Sequence, residues 1–572
     1  MRISSAESPP PPVGKEKQLP VLVFASLIFL VESAFALYLS PTTAYQLSAA
    51  SAVLTGALPF VSFYFDELPT QIYLRLPEVL ISGLFQHWPL GNCGAAPALS
   101  HFFFTLVYQL LILAFCMRIW SNAPGKSGTR PLVYLLALMG AQPAFVFQLG
   151  CVQHLVFLGL LPLLFWGALD QSAREEPLSA NRRRDFALAL MTASFVACLS
   201  LPCLPLPFLV VLTQALLLAR PSLLAGAGVA FALVLLLLAG GFQFMPHSCQ
   251  AELGQWIITL RASVYKVENM MIFGIGTSPD RRDFIYLLAP ALLLTLGNKK
   301  QVLFMIPLAV VGVWGFLVYT VSYSGLSDYL VLGYMSALAL LAGGSFFLVE
   351  EFFRVFPRFD FGLGRGGRRV VPWVVLASLL LGAVVLPVFA SWQLSRRIRD
   401  ETARCDADRG YKDLRRAIEE NSAVGERVFL LNGRLAPACP ELLLLGRQKF
   451  SYFLSGEPLG LISNLVKQKV DGLWLERHSQ FVGETDELLA GRLRTDLERD
   501  PPVCLLVEGG EMEDYINNHG LRPWLNRFYE LKGFARYISP SLAPREFCDW
   551  NWDYGIYCLK SRSKDQSGGR SD

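Results

Sequence analysis

Charge is scarce in this chain. Of its 572 residues, 17% are charged and 53% are hydrophobic, and the net charge is only +4. The basic residues form no patch interleaved with aromatics, which excludes a nucleic-acid-binding surface. There is no collagen-like period and no helical-repeat period. No phosphate-cradling glycine loop is present either. FGLGRGGRR at 361–369 has the glycines but lacks the flanking strand and helix, so it reads as a flexible basic linker. The 11 cysteines make no zinc spacing.

Long apolar runs are what the chain has instead. LPVLVFASLIFLVESAFALYL and VAFALVLLLLAGG approach the ~20 residues needed to span a hydrocarbon core as a helix. Mean hydropathy is +0.41. The apolar runs predict about eleven spans, at 18–39, 100–120, 131–149, 152–169, 186–202, 204–219, 222–244, 284–298, 302–320, 328–349 and 370–393. Residues 1–17 and 563–572 read as disordered tails, and 18–393 as a multi-span membrane domain. From 394 the charge density jumps, which predicts a water-soluble domain over 394–562.

Loop charge orients the chain. With the N-terminus inside, the inner segments hold Arg2, Lys15, Lys17, Arg118, Lys126, Arg130, Arg174, Arg182, Arg183, Arg184, Arg220, Lys299, Lys300, Arg354, Arg358, Arg365, Arg368 and Arg369. The outer loops hold only Arg75, Arg261, Lys266, Arg281 and Arg282. A full span at 43–64 would invert that bias, so this stretch is expected to re-enter or lie at the interface. It falls within a long first outer loop, 40–99. The C-terminal domain is then extracytoplasmic, or periplasmic in a bacterial inner membrane. A cleaved signal ending near AFA at 34–36 is the competing reading of the N-terminus.

Two outer loops carry the polar candidates. In the first, VSFYFDELPTQIYLRL places Asp66 beside Glu67, with Arg75 about two turns on and His87 beyond. Ile72, Leu74, Leu76, Val79 and Leu80, interrupted by Pro69 and Pro77, predict short helices in the membrane plane. The second loop, 245–283, predicts a helix that puts Arg261 and Tyr265 on one face, with Lys266 beside them. Taken singly, such charges are ordinary solvated loop residues.

This layout resembles the GT-C superfamily of membrane glycosyltransferases, over essentially the whole chain. The shared features are one N-terminal span, a long first outer loop with an acidic pair, many further spans and an outer C-terminal domain. SYSGLSDYLVLGYMSALALLAG is similar to the family's late span, with Asp328-Tyr329 where an Arg-Tyr pair is common. The resemblance implies a hexosyl- or pentosyltransferase that takes sugar from a polyprenyl-phosphate donor. Asp66 would be the catalytic base, assisted by Glu67. Arg75, Arg261 and Lys266 would bind the donor phosphate, and His87, Asp328 and Tyr329 would line the cavity. No cofactor is required by this reading, and a divalent metal is compatible with it. The acceptor, whether glycan, lipid or protein, is open. The alternative is a non-catalytic membrane protein, such as a lipid-linked-substrate transporter or an envelope assembly scaffold.

Other residues carry weaker signals. Glu32 lies within the first span, where a carboxylate is costly. His101 and His154 lie at span ends and read as interfacial structural residues. Cys198 and Cys203 read as packing residues. Cys405, Cys439, Cys504, Cys548 and Cys558 fall in the outer domain, where disulfides can form but connectivity is not legible. In that domain GERVFLLNG, DGLWLER and PPVCLLVEGG read as strands. LISNLVKQK and ETDELLAGRLRTDLER read as helices, together predicting an α/β layer with a parallel sheet. REFCDWNWDYGIYCLKS reads as an aromatic strand or as a sugar-stacking cluster.

Overall fold

A computed structural model describes residues 41–59, 69–85, 95–123, 129–140, 151–172, 179–200, 203–218, 220–243, 299–321, 330–355, 370–379, 411–433, 437–447, 473–538 and 551–560, with scattered residues beside them. Asp66, Glu67, His87, Arg261, Lys266, Asp328, Tyr329 and Glu32 lie outside the described residues, as do residues 18–38 of the first predicted span and the predicted span 284–298.

The helical part comprises α1 (Pro41–Leu54), α2 (Pro69–Phe85), α3 (Ala95–Ser121), α4 (Thr129–Gly140), α5 (Val152–Ser172), α6 (Ala180–Ala197), α7 (Leu206–Leu218), α8 (Pro221–Gln243), α9 (Lys299–Val321) and α10 (Leu330–Val355). Among the described residues four helices are long and apolar enough to cross a membrane: Ala96–Ser121, Val152–Asp170, Ser222–Gly240 and Val331–Val355. Their surroundings differ. α5 is apolar all round and wholly buried, as the central helix of a bundle must be. α8 leaves Val229, Phe231, Leu235 and Leu236 exposed, a band that belongs against lipid rather than water. α9 and α10 pack closely through glycine: a Cβ on Gly315 would stand 2.7 Å from the backbone N of Gly333.

The first loop departs from expectation in two ways. α1 has 14 residues, so at 1.5 Å per residue it is too short to cross the core. Most of α1 is buried, however, rather than lying on a surface. Pro77 does not break the chain into short helices either. α2 is one helix of 17 residues, begun at Pro69 and continuous through Pro77.

α2 is also inside out. Gln71, Arg75, Glu78 and Ser82 are buried, whereas Tyr73, Leu80 and Leu84 are exposed, Leu84 by 70%. The spacing in both sets is that of one helix face. A helix that turns its polar face inward and its apolar face outward is matched to an apolar surrounding, consistent with a membrane-surface position.

The C-terminal part holds β1 (Tyr411–Asp413), α11 (Leu414–Asn421), β2 (Val428–Leu431), α12 (Ala438–Leu444), α13 (Leu473–Arg499), β3 (Cys504–Glu508), α14 (Glu511–Asn518), α15 (Arg522–Phe528), β4 (Tyr529–Ile538) and β5 (Asn551–Leu559). The strands form one sheet in the order β1-β4-β5-β3-β2. Alternate residues feed two cores. Phe429, Leu431, Leu505 and Val507 meet α13 to α15 on one face. Val428, Leu430, Leu506 and Ile556 meet α11 and α12 on the other.

Two expectations are corrected here. LWLER begins α13 and is not a strand, because a short apolar run reads alike in a strand and in a buried helix until its continuation is placed. The sheet is mixed, not parallel. β1–β4 and β2–β3 are parallel, while β5 runs antiparallel to both β3 and β4. The terminal aromatic run is β5, with Tyr554 and Ile556 buried in the core.

α12 joins the two parts. Ala438 and Leu442 face the sheet, while Cys439 packs with Leu39 and with Ala44, Tyr45 and Leu47 of the first loop. The α/β layer therefore rests on α1.

Candidate functional site

Buried ionic side chains among the described residues of the bundle fall in two groups. At the end covered by the α/β layer, a continuous network runs through α1, α2 and α3. Gln71 Nε2 donates to the Leu199 carbonyl at 2.6 Å, and Thr70 Oγ1 donates to the Cys198 carbonyl at 2.8 Å. These bonds tie the start of α2 to the carbonyl end of α6, where helix carbonyls need partners. Gln46 Nε2 donates to Gln71 Oε1 at 2.6 Å, and Gln46 Oε1 accepts from Arg75 Nε at 3.1 Å. Arg75 Nη1 donates to Glu78 Oε1 at 2.5 Å. The other oxygen of Glu78 lies 2.8 Å from His101 Nδ1.

Arg75, Glu78 and His101 have no exposed side-chain surface. Burial alone would push the Glu78 carboxyl up. Arg75 and His101 outweigh it and hold the group below the usual carboxylate range. Glu78 is thus an ionised acceptor, and His101 Nδ1 carries the hydrogen between them. This fixes the ring and leaves Nε2 for its other contacts. His154, buried on α5, lies within electrostatic reach of His101.

The opposite end carries a second ionic group. Asp170, ending the apolar run of α5, pairs with Arg182 at the start of α6 and with Arg220 before α8, the latter at 3.3 Å. Asp185 pairs with Arg118 at 3.4 Å and accepts from Asn122 Nδ2 at 2.7 Å. These residues come from the segments that loop charge assigns to the inside. The structure thus separates them by the length of the bundle from the first loop and the α/β layer.

Of the candidates read from the sequence, the structure places Arg75 alone among described residues, within a pair with Glu78. Among the described residues no group of three His, Cys, Asp or Glu side chains comes together as a metal site. Glu78, Gln46 and Gln71 were not legible as candidates, and His101 read only as an interfacial residue. One signal was available. Gln71, Arg75, Glu78 and Ser82 recur at helical spacing through an otherwise apolar stretch.

The fold and these networks define a polytopic helical bundle with an α/β layer resting on its first loop. No protein-family model matches the chain, and no curated protein matches it. Among solved structures, the chain is similar to that of ArnT from Cupriavidus metallidurans in the apo state. Identity is 13% over 95% of this chain and 98% of the other, with a TM-score of 0.46.

Proposed function

We propose that the chain is a GT-C-type membrane glycosyltransferase, moving a sugar from a polyprenyl-phosphate donor to an acceptor on the outer face of a bacterial inner membrane. One observation carries the reading. α2 turns a polar, ionic face inward and an apolar face outward, directly after the acidic pair in sequence and beneath the α/β layer. Such a helix suits a site that must hold charged groups at a lipid surface, where a lipid-borne donor would arrive.

In this reading Asp66 removes the proton of the acceptor hydroxyl as its oxygen attacks the anomeric carbon. The bond from that carbon to the phosphate oxygen breaks, and the polyprenyl phosphate leaves with the electron pair. Glu67 orients the acceptor or Asp66. Arg75, Arg261 and Lys266 offset charge on the leaving phosphate. Glu78 would hold Arg75 in place for that role. His87, Asp328 and Tyr329 are assigned to the cavity wall.

The non-catalytic reading, a lipid-linked-substrate transporter or an assembly scaffold, draws on buried polar groups within apolar helices, His101 and His154 above all. Asp66→Asn separates the two. Lipid-linked sugars and surface glycans are compared by mass spectrometry at matched membrane levels. Accumulation of one polyprenyl-phosphate sugar, or loss of one glycan residue, supports transfer. Unchanged pools with a folded variant reject Asp66 as the base and favour the alternative.

A further inference from the structure

Cys504 and Cys558 stand directly opposite one another on β3 and β5, which run antiparallel. The phase of the ladder is set by two bonds. Leu559 N donates to the Val503 carbonyl at 3.0 Å, and Gly509 N donates to the Asp553 carbonyl at 2.8 Å. Val503–Leu559 and Gly509–Asp553 are therefore hydrogen-bonded pairs. Alternation makes Cys504–Cys558 a non-hydrogen-bonded pair, in which Cα atoms approach to about 4.5 Å and side chains are closest. That separation lies within the ~4.4–6.8 Å range a disulfide needs. Both side chains project to the same face, toward α11, and the Cys558 thiol donates to Asn421 Oδ1 at 3.3 Å.

We infer that Cys504 and Cys558 are joined by a cross-strand disulfide in the mature protein. The inference rests on the proposed function in one respect, that the α/β layer faces an oxidising compartment. The two thiols are unlike in a way that orders the chemistry. Cys504 is fully buried, whereas Cys558 is partly accessible. The hydrogen bond from Cys504, helped by Lys532 and opposed by burial, brings the Cys558 thiol down to about 7. The hydrogen bond to Cys558, with burial, pushes the Cys504 thiol up.

Cys558 is then the attacking thiolate. Its sulfur attacks one sulfur of an external protein or small-molecule disulfide, the old S–S bond breaks, and one thiolate leaves. Cys504 loses its proton and attacks Cys558 in the mixed disulfide. The second external thiolate leaves, so the external disulfide is reduced by two electrons as the protein pair is oxidised. The bond would cross-link the sheet between β3 and β5, across the stretch that contains α14, α15 and β4.

The test uses the full chain in native membranes, quenched in acid and blocked with N-ethylmaleimide before any reductant. Non-reducing tryptic digestion should yield a peptide pair joined through Cys504 and Cys558 that separates on reduction. Tandem mass spectrometry must place the bond on Cys558 rather than Cys548, which shares its tryptic peptide between Arg545 and Lys560. Maleimide on both cysteines, or a bond from either one to another cysteine, overturns the inference. An alkaline phosphatase fused after Asp572 distinguishes the two failures. Free thiols with an active phosphatase reject the disulfide and leave the outer placement standing. Free thiols with an inactive phosphatase reject both.

Discussion

The guanidinium of Arg75 and the carboxylate of Glu78 meet at 2.5 Å, one helical turn apart, with neither exposed. Removing one partner of such a pair leaves a buried charge uncompensated, at about 3–5 kcal/mol. Glu78→Gln should therefore lower the melting temperature of the detergent-purified protein sharply. Arg75→Gln combined with it should be milder than the sum of the two single changes. A double variant as unstable as that sum would show that the pair is not coupled.

The same carboxylate sets an acid limit. Its folded-state pKa lies below the ordinary 4.5, so its stabilisation is present above that value and is lost as pH falls through the lower folded value. Melting temperature measured against pH should show this acid limb in wild type. Glu78→Gln should flatten it, and an acid limb unchanged in that variant would show that Glu78 does not set it.

Leu80 is 60% exposed on the apolar face of α2. If that face meets lipid, Leu80→Asp places a charge where none is tolerated, while Leu80→Phe keeps the contact. Membrane-fraction recovery should fall for the first variant and hold for the second. Brominated-lipid quenching of a Trp placed at Leu84 should detect the contact directly. Equal recovery without quenching would place this face in water.

Two glycines predict opposite outcomes. A Cβ at Gly315 would stand 2.7 Å from the Gly333 backbone, which cannot rotate away, so Gly315→Ala should destabilise the α9–α10 contact by about 1–3 kcal/mol. At Gly228 on α8 nothing lies within 4 Å. Gly228→Ala should be neutral or stabilising by up to ~1 kcal/mol through helix propensity alone. Thermal unfolding of both variants in one detergent gives the comparison.

Arg427, just before β2, caps α13. Its Nη2 donates to Asp496 Oδ2 at 2.6 Å, and its Nη1 reaches the carbonyls of Asp496 and Asp500. Carbonyls at a helix end have no partners within the helix. Arg427→Met keeps much of the buried volume and removes the donors, so it should cost about 2 kcal/mol. Hydrogen exchange should rise first over residues 494–503. Exchange unchanged there would show that the cap is dispensable.

Much of the architecture was legible because it follows from local pattern. Apolar runs such as those of α5 and α8 announce helices wherever they fall, and GERVFLLNG and PPVCLLVEGG announce buried strands. LWLER was misread because three apolar residues are compatible with either period. β5 upset the expected parallel sheet because strand direction depends on which neighbour a strand finds. The polar face of α2 was overlooked because Pro77 was expected to break the stretch into short helices, which hides the helical recurrence of Gln71, Arg75, Glu78 and Ser82 along one continuous helix.

The sequence by itself determined that the chain carries long apolar runs, that Lys and Arg are unequally shared among the segments between them, and that charge density rises from residue 394. Those properties are sums over residues and need no knowledge of neighbours. Only the tertiary structure decided that Gln46, Arg75, Glu78 and His101 share one network, that Asp170 meets two arginines at the other end, and that Cys504 faces Cys558. Each of these joins residues from separate elements. A buried charge is tolerated only where the fold brings its partner within reach.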